Sequence, residues 1–246
     1  MSVTLLNDLP SAFRMADKYH GFADHFEGFL TAQSGASYTV VTAVDGTVLM
    51  TDAARGAVLI ANATASIGDN EDCYLAREPE AFLLAANKPL VYRAILKFTE
   101  VSTNTCNVIA GITDAVAADL LVNDGAGPKT SGTTLAFFKK DGNLNWHVHV
   151  SLSTTQTSVE LTAANSLDKV AHAAGGSSYQ VLDIEFIPKN STQSDVNFYI
   201  DGVHVYKMSD YVFTSATEAQ AVVGCKGGTA AAMTVNLDFM GCYQQV

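Results

Sequence analysis

Apolar and polar residues alternate along most of this chain with a period of two, the spacing of a strand with one buried face. The three-to-four spacing of an amphipathic helix is almost absent. The clearest stretch is 89–101, PLVYRAILKFTEV, which puts Val91, Arg93, Ile95 and Lys97 on one side and Tyr92, Ala94, Leu96 and Phe98 on the other. Shorter runs bounded by turn residues read as further strands: GAVLIANA (56–63), CYLARE (73–78), NVIAGITD (107–114), SVELTA (158–163), YQVLDIEFIP (179–188), AQAVVGCKG (219–227) and MTVNLDFMGCYQ (233–244). Helical turns are expected only over 9–19, 78–86 and 115–122, the first with Asn7-Asp8 and Pro10-Ser11 as start signals. Many strands with little helix predict an all-β protein, an antiparallel two-sheet sandwich.

Three Asp-Gly pairs lie between such runs. Asp-Gly is a preferred two-residue hairpin turn because both central residues adopt positive φ. With Asp45-Gly46 as the turn, Val41 faces Met50 and Ala43 faces Val48; with Asp141-Gly142, Phe137 faces Trp146 and Leu135 faces Val148. With Asp201-Gly202, Ile200 faces Val203 and Phe198 faces Val205. Each register sets apolar side chains opposite one another on a single face, and the second predicts a buried Trp146.

Composition adds material for a core. Of 246 residues, 48% are hydrophobic and 16% charged, and no linker composition interrupts the chain, so one domain is expected over 23–246. Residues 1–22 carry Leu5, Leu6, Leu9, Phe13 and Met15 without strand alternation. They read as an N-terminal arm that packs on its own sandwich or on another subunit, and those five residues are the candidate interface. The net charge of −11 argues against nucleic acid and against an anionic membrane, and favours basic or neutral partner surfaces. No apolar run approaches the ~18 residues of a membrane span, and no basic segment precedes an apolar core at the start of the sequence, so synthesis in a cytosol is expected.

Candidate chemistry is sparse. Cys73, Cys106, Cys225 and Cys242 fit neither a zinc pattern nor a disulfide scaffold and are expected as buried thiols. Asn62 and Asn190 begin formal glycosylation sequons that matter only on a secreted chain. His147 and His149 share one face of a strand, as a metal-ligand pair would, yet no third ligand stands at a recognisable spacing, so they are read as solvent-facing opposite the Trp146/Val148 row. Asn123-Asp124-Gly125-Ala126-Gly127 lacks the alternating acids of a calcium loop and reads as a turn. Asp183 and Glu185 alternate with Leu182, Ile184 and Phe186. Two carboxylates could serve a glycosidase, but laminarinase-like sites carry three in an E-x-D-x-x-E pattern, so a solvated strand face is expected. No nucleophile elbow and no phosphate loop occurs. The chain is expected to be no enzyme and to hold no cofactor or metal.

The order of elements carries a resemblance. PLVYRAILKF is followed by NVIAGITD, by the FFKKDGNLNW hairpin, by YQVLDIEFIP running into NFYIDGVHVYKM, and by MTVNLDFMGCYQ at the end. This succession resembles the concanavalin A-like (laminin G-like) jelly roll over roughly 24–246. More narrowly, Glu80-Ala81-Phe82 followed by Lys88-Pro89-Leu90-Val91-Tyr92-Arg93-Ala94 is similar to jelly-roll virion proteins of tailed bacteriophages. That resemblance implies a structural role as a capsid decoration, cement or head-fibre protein on the outer surface of the head, made in the host cytoplasm. Its partners would be the major capsid protein and sister copies, a homotrimer being expected. The alternative is a lectin-like module that recognises host-cell glycans.

Overall fold

The computed structural model of the chain describes residues 19–26, 38–42, 46–51, 57–62, 71–77, 82–100, 105–123, 127–129, 131–152, 155–213, 217–228 and 233–245. The arm residues Leu5, Leu6, Leu9, Phe13 and Met15 lie outside them. Among the described residues there is no α-helix, and 115–122, expected as a helical turn, forms turns and a short strand.

Two large antiparallel sheets face each other. The first runs β16 (Val203–Val212), β15 (Gln193–Ile200), β14 (Gln180–Pro188), β7 (Leu90–Glu100), β18 (Met233–Gln245), β4 (Ala57–Asn62) and β3 (Gly46–Thr51), with β1 (Tyr19–Asp24) added along β18. The second runs β13 (Thr155–Glu160), β12 (His147–Leu152), β11 (Thr134–Lys139), β8 (Cys106–Thr113), β17 (Thr217–Gly227), β5 (Asp72–Arg77) and β2 (Tyr38–Thr42), with β6 (Phe82–Leu84) on β17. A small ribbon of β9 (Leu121–Val122) and β10 (Gly127–Pro128) sits inside the connection from β8 to β11. β1 begins at Tyr19, so the last residues of the expected arm pair with β18.

The period-two pattern decides which side chains meet between the sheets. Tyr92, Ala94, Leu96 and Phe98 of β7 and Leu182, Ile184 and Phe186 of β14 turn inward, against Leu135 and Phe137 of β11 and Val108, Ala110 and Ile112 of β8. Trp146 joins the layers: its ring stands edge-on to Phe98 of the first sheet at 5.8 Å and to Phe137 of the second at 6.2 Å. Its indole N–H donates to Gln180 Oε1 at 3.0 Å, so a fully buried polar atom is satisfied. Lys139 is also fully buried, its ammonium donating to Glu100 Oε2 and to the Cys106 carbonyl at 3.0 Å each.

All three Asp-Gly registers need correction, the third at one of its two pairs. β2 pairs with β5 and β3 with β4, so the chain through Asp45-Gly46 crosses from one sheet to the other and closes no hairpin. At Asp141-Gly142 the strands do pair, but Phe137 faces Val148 and Leu135 faces Val150, two residues on from the predicted register. The reason is Trp146, whose N–H bonds to the His172 carbonyl and whose carbonyl accepts from Leu161, drawing it off β11. A shift of two preserves every face, and Trp146 stays buried. At Asp201-Gly202, with φ of 52° and 80°, Ile200 faces Val203 as expected; a bulge at Val205 then puts Tyr206 opposite Phe198.

Candidate functional site

Seven strands of the second sheet turn alternate side chains outward, and register aligns them into rows. One row reads Gln220, Thr113, Thr134, Ser151 and Gln156; the next Thr39, Ala76, Val222, Gly111, Ala136, His149 and Ser158; the third Val41, Tyr74, Gly224, Ile109, Phe138, His147 and Glu160. This face is covered at its centre. The described residues 114–123 and 127–129 of the connection after β8 fold back over it as a strap, and Leu120 and Leu121 pack on Tyr74, Ala76, Ile109, Ala136 and Val222, all fully buried. Gly127, at φ 93°, rests on the Phe138 ring at a distance where any side chain would collide.

Polar groups pin the strap. Lys226, fully buried, reaches Asp119 Oδ1 at 2.6 Å and Asp72 Oδ1 at 3.3 Å. Asp72 also accepts the Tyr74 hydroxyl and the Asp119 N–H, and the Tyr74 oxygen in turn accepts the Leu121 N–H at 3.0 Å. A buried ammonium is tolerated only where carboxylates neutralise it, and here they come from β5 and the strap. At the base of the strap, Asp114 accepts the Thr133 N–H.

The two histidines therefore differ from the expectation. Both point outward from β12, yet His149 is fully buried and His147 nearly so. Phe138 lies against both rings, at 4.8 Å for His147 and 6.0 Å for His149. His149 Nδ1 bonds to Ser158 Oγ at 2.7 Å, while its Nε2 is sealed from solvent with no protein partner. Burial pushes the His149 pKa down to about 4 and lowers that of His147 as well, so both rings are neutral at pH 7. Among the described residues no group of three His, Cys, Asp or Glu could hold a metal ion.

Where the third row reaches the sheet edge, a polar corner opens to solvent. Glu160 Oε1 accepts from Asn145 Nδ2 at 2.7 Å, and the Asn145 N–H is held by Asn143 Oδ1 at 3.3 Å. Asn145, then Asn143, hold the Glu160 carboxyl below the usual range, with help from His147 and Lys140. Between the two asparagines Leu144 stands 60% exposed. Carboxylate acceptors, amide donors and a small apolar surface are the groups that read a ring of hydroxyls. The sequence offered Asn143, Asn145 and Glu160 no motif; only the loop that draws Trp146 off β11 brings them together.

The acids of β14 are correspondingly less free than expected. Arg93 of β7 grips Asp183 through Nε and, at 2.8 Å, through Nη2, leaving Asp183 buried rather than solvated. Glu185 accepts from Tyr199 at 2.8 Å and from Asn197 at 3.3 Å, and Tyr199 stacks on His204 at 4.7 Å. The four cysteines are buried and form no disulfide, Cys73 and Cys225 directly opposite across β5 and β17.

No protein-family model and no curated protein matches the chain. Solved structures do, and they define its fold as a concanavalin A-like lectin/glucanase jelly roll. The carbohydrate recognition domain of Emp47p is similar over 94% of this chain and 99% of its own, at 11% identity and a TM-score of 0.57. An endo-1,3-β-glucanase from Streptomyces sioyaensis is similar over 92% and 96%, at 12% identity and a TM-score of 0.57. A carbohydrate esterase of the Shiga toxin-encoding bacteriophage phi24B is similar over 84% and 89%, at 16% identity and a TM-score of 0.51. The expectation that the chain is no enzyme is corrected by these similar structures: a glucanase and an esterase share the fold, so the fold does not set the chain apart from catalysts.

Proposed function

We propose that this protein recognises carbohydrate, and that the corner of Asn143, Leu144, Asn145 and Glu160 is where it does so. The observation that carries the reading is the Glu160 carboxylate, oriented by asparagine at the open edge of the sheet beside exposed Leu144. A sugar edge can exchange hydrogen bonds with the acid and amides while its C–H face lies on Leu144. The similar recognition domain, glucanase and esterase, each named for carbohydrate, support that ligand class. A glycan array probed with the full chain tests it. At least one glycan is bound by the native protein and released on Asn145→Ala, which removes a bond to a charged acceptor worth ~1.5–3 kcal/mol, about tenfold or more in affinity. Binding unaffected by Asn145→Ala would place recognition elsewhere on the sandwich.

The second reading, favoured by the phage-encoded esterase among the similar structures, is a place on the outside of a phage head, with the capsid protein and sister copies as partners. On that reading the protein sediments with purified heads at a copy number compatible with their symmetry, and its absence from them refutes it.

A further inference from the structure

The strap bears on which part of a glycan could be bound. A polysaccharide lying across the outer face of the second sheet would need its central rows, since seven strands about 4.8 Å apart make a floor of roughly 30 Å. Those rows are taken. Tyr74, Ala76, Ile109, Ala136 and Val222 are sealed beneath Leu120 and Leu121, and Lys226 holds that cover from below through Asp119 and Asp72. The polar corner is walled on a second side. The segment after β13 folds back beside it, with Asn165 Nδ2 on the Glu160 carbonyl at 3.0 Å and the Ala174 N–H on the Leu144 carbonyl at 2.9 Å. A sugar seated on Glu160 thus meets the strapped face on one side and residues 161–174 on another.

We propose that the strap makes this site a reader of glycan ends and short oligosaccharides, and that the interiors of polysaccharide chains are excluded. The inference rests on the glycan reading of the corner. Lys226 acts in it as a positioning residue: its ammonium draws the acidic strap onto the sheet and so decides how much of the face a ligand can reach. Without such a cover the centre of the sheet would present the small and apolar side chains Ala76, Ile109, Ala136 and Val222.

The test sets linear gluco-, manno- and galacto-oligosaccharides of one to six sugars against cyclic glucans, which have no ends, using the full chain. The inference expects affinity to level off within two or three sugars and cyclic glucans to bind at least tenfold more weakly. Affinity that keeps rising with length, or equal binding of cyclic glucans, overturns it while leaving the glycan reading intact. If no glycan on an array is bound, the glycan reading fails and takes the inference with it. The strap's part is read from Asp119→Asn, which keeps a residue that tolerates the φ of 64° and removes the charge facing Lys226. Amide exchange in 117–123 then speeds about tenfold, through the Asp119 and Leu121 N–H groups, and discrimination against cyclic glucans narrows. Because Asp119 is 70% exposed at its side chain, this variant keeps the core that Lys226→Met would put at risk. Faster exchange with unchanged discrimination means the strap is not the source of selectivity.

Discussion

Trp146 and His149 sit three residues apart and differ in how far local sequence reveals them. Trp146 is apolar, lies opposite an apolar run, and is buried as the pattern says, despite the two-residue change of register. Truncating it to alanine removes the ring that joins Phe98 to Phe137, so Trp146→Ala should cost ~3–5 kcal/mol in a denaturant melt; wild-type stability would contradict its central packing. His149 looks exposed because its strand neighbours face inward, yet it is fully buried, with Phe138 and Ser158 of the two adjacent strands against its ring. Its pKa in the fold, about 4, lies below the ordinary 6.5, so the unfolded chain takes up the proton first as the pH drops. Stability from this group is complete above pH 6.5 and is lost as the pH falls from there to about 4, a total of about 3 kcal/mol. His149→Gln should flatten that part of the stability-versus-pH curve; an unchanged slope would show that the ring is not sealed.

At the scale of elements, alternation identified strands more reliably than it identified their partners. β4, β5, β7, β8, β14, β17 and β18 all lie where the period-two runs place them. The Asp45-Gly46 pair was misleading because turn chemistry is local, whereas the strands that flank it, β2 and β3, belong to different sheets. The strap lock was not legible at all: Asp72, Asp119 and Lys226 come from three distant segments, and the one trace is a lysine inside the apolar run AQAVVGCKG. Glycines mark where elements approach most closely. A Cβ on Gly111 of β8 would run into the Leu135 carbonyl and Ala136 of β11, and one on Gly224 would strike the Tyr74 ring that supports the strap. Gly111→Ala should therefore destabilise by ~1–3 kcal/mol through backbone displacement, measured as a lower midpoint in urea; a neutral result would mean that β8 and β11 stand further apart than this.

For the whole molecule, the sandwich is a scaffold shared by recognition domains and enzymes alike, so its role depends on what it presents at its open rim. The interior is committed to packing, with Trp146 and Lys139 tying one sheet to the other. The centre of the second sheet is committed to holding the strap. Among the described residues, one edge that stays chemically equipped is where Glu160, Asn143 and Asn145 meet. The most direct test of that reading is calorimetric titration of one glycan selected on the array into the native protein and into Glu160→Gln, a near-isosteric change that removes the charge at the corner. The account predicts binding by the native chain and at least a tenfold loss in the variant, with melting curves that stay close to one another. Equal affinity in the two proteins would contradict it.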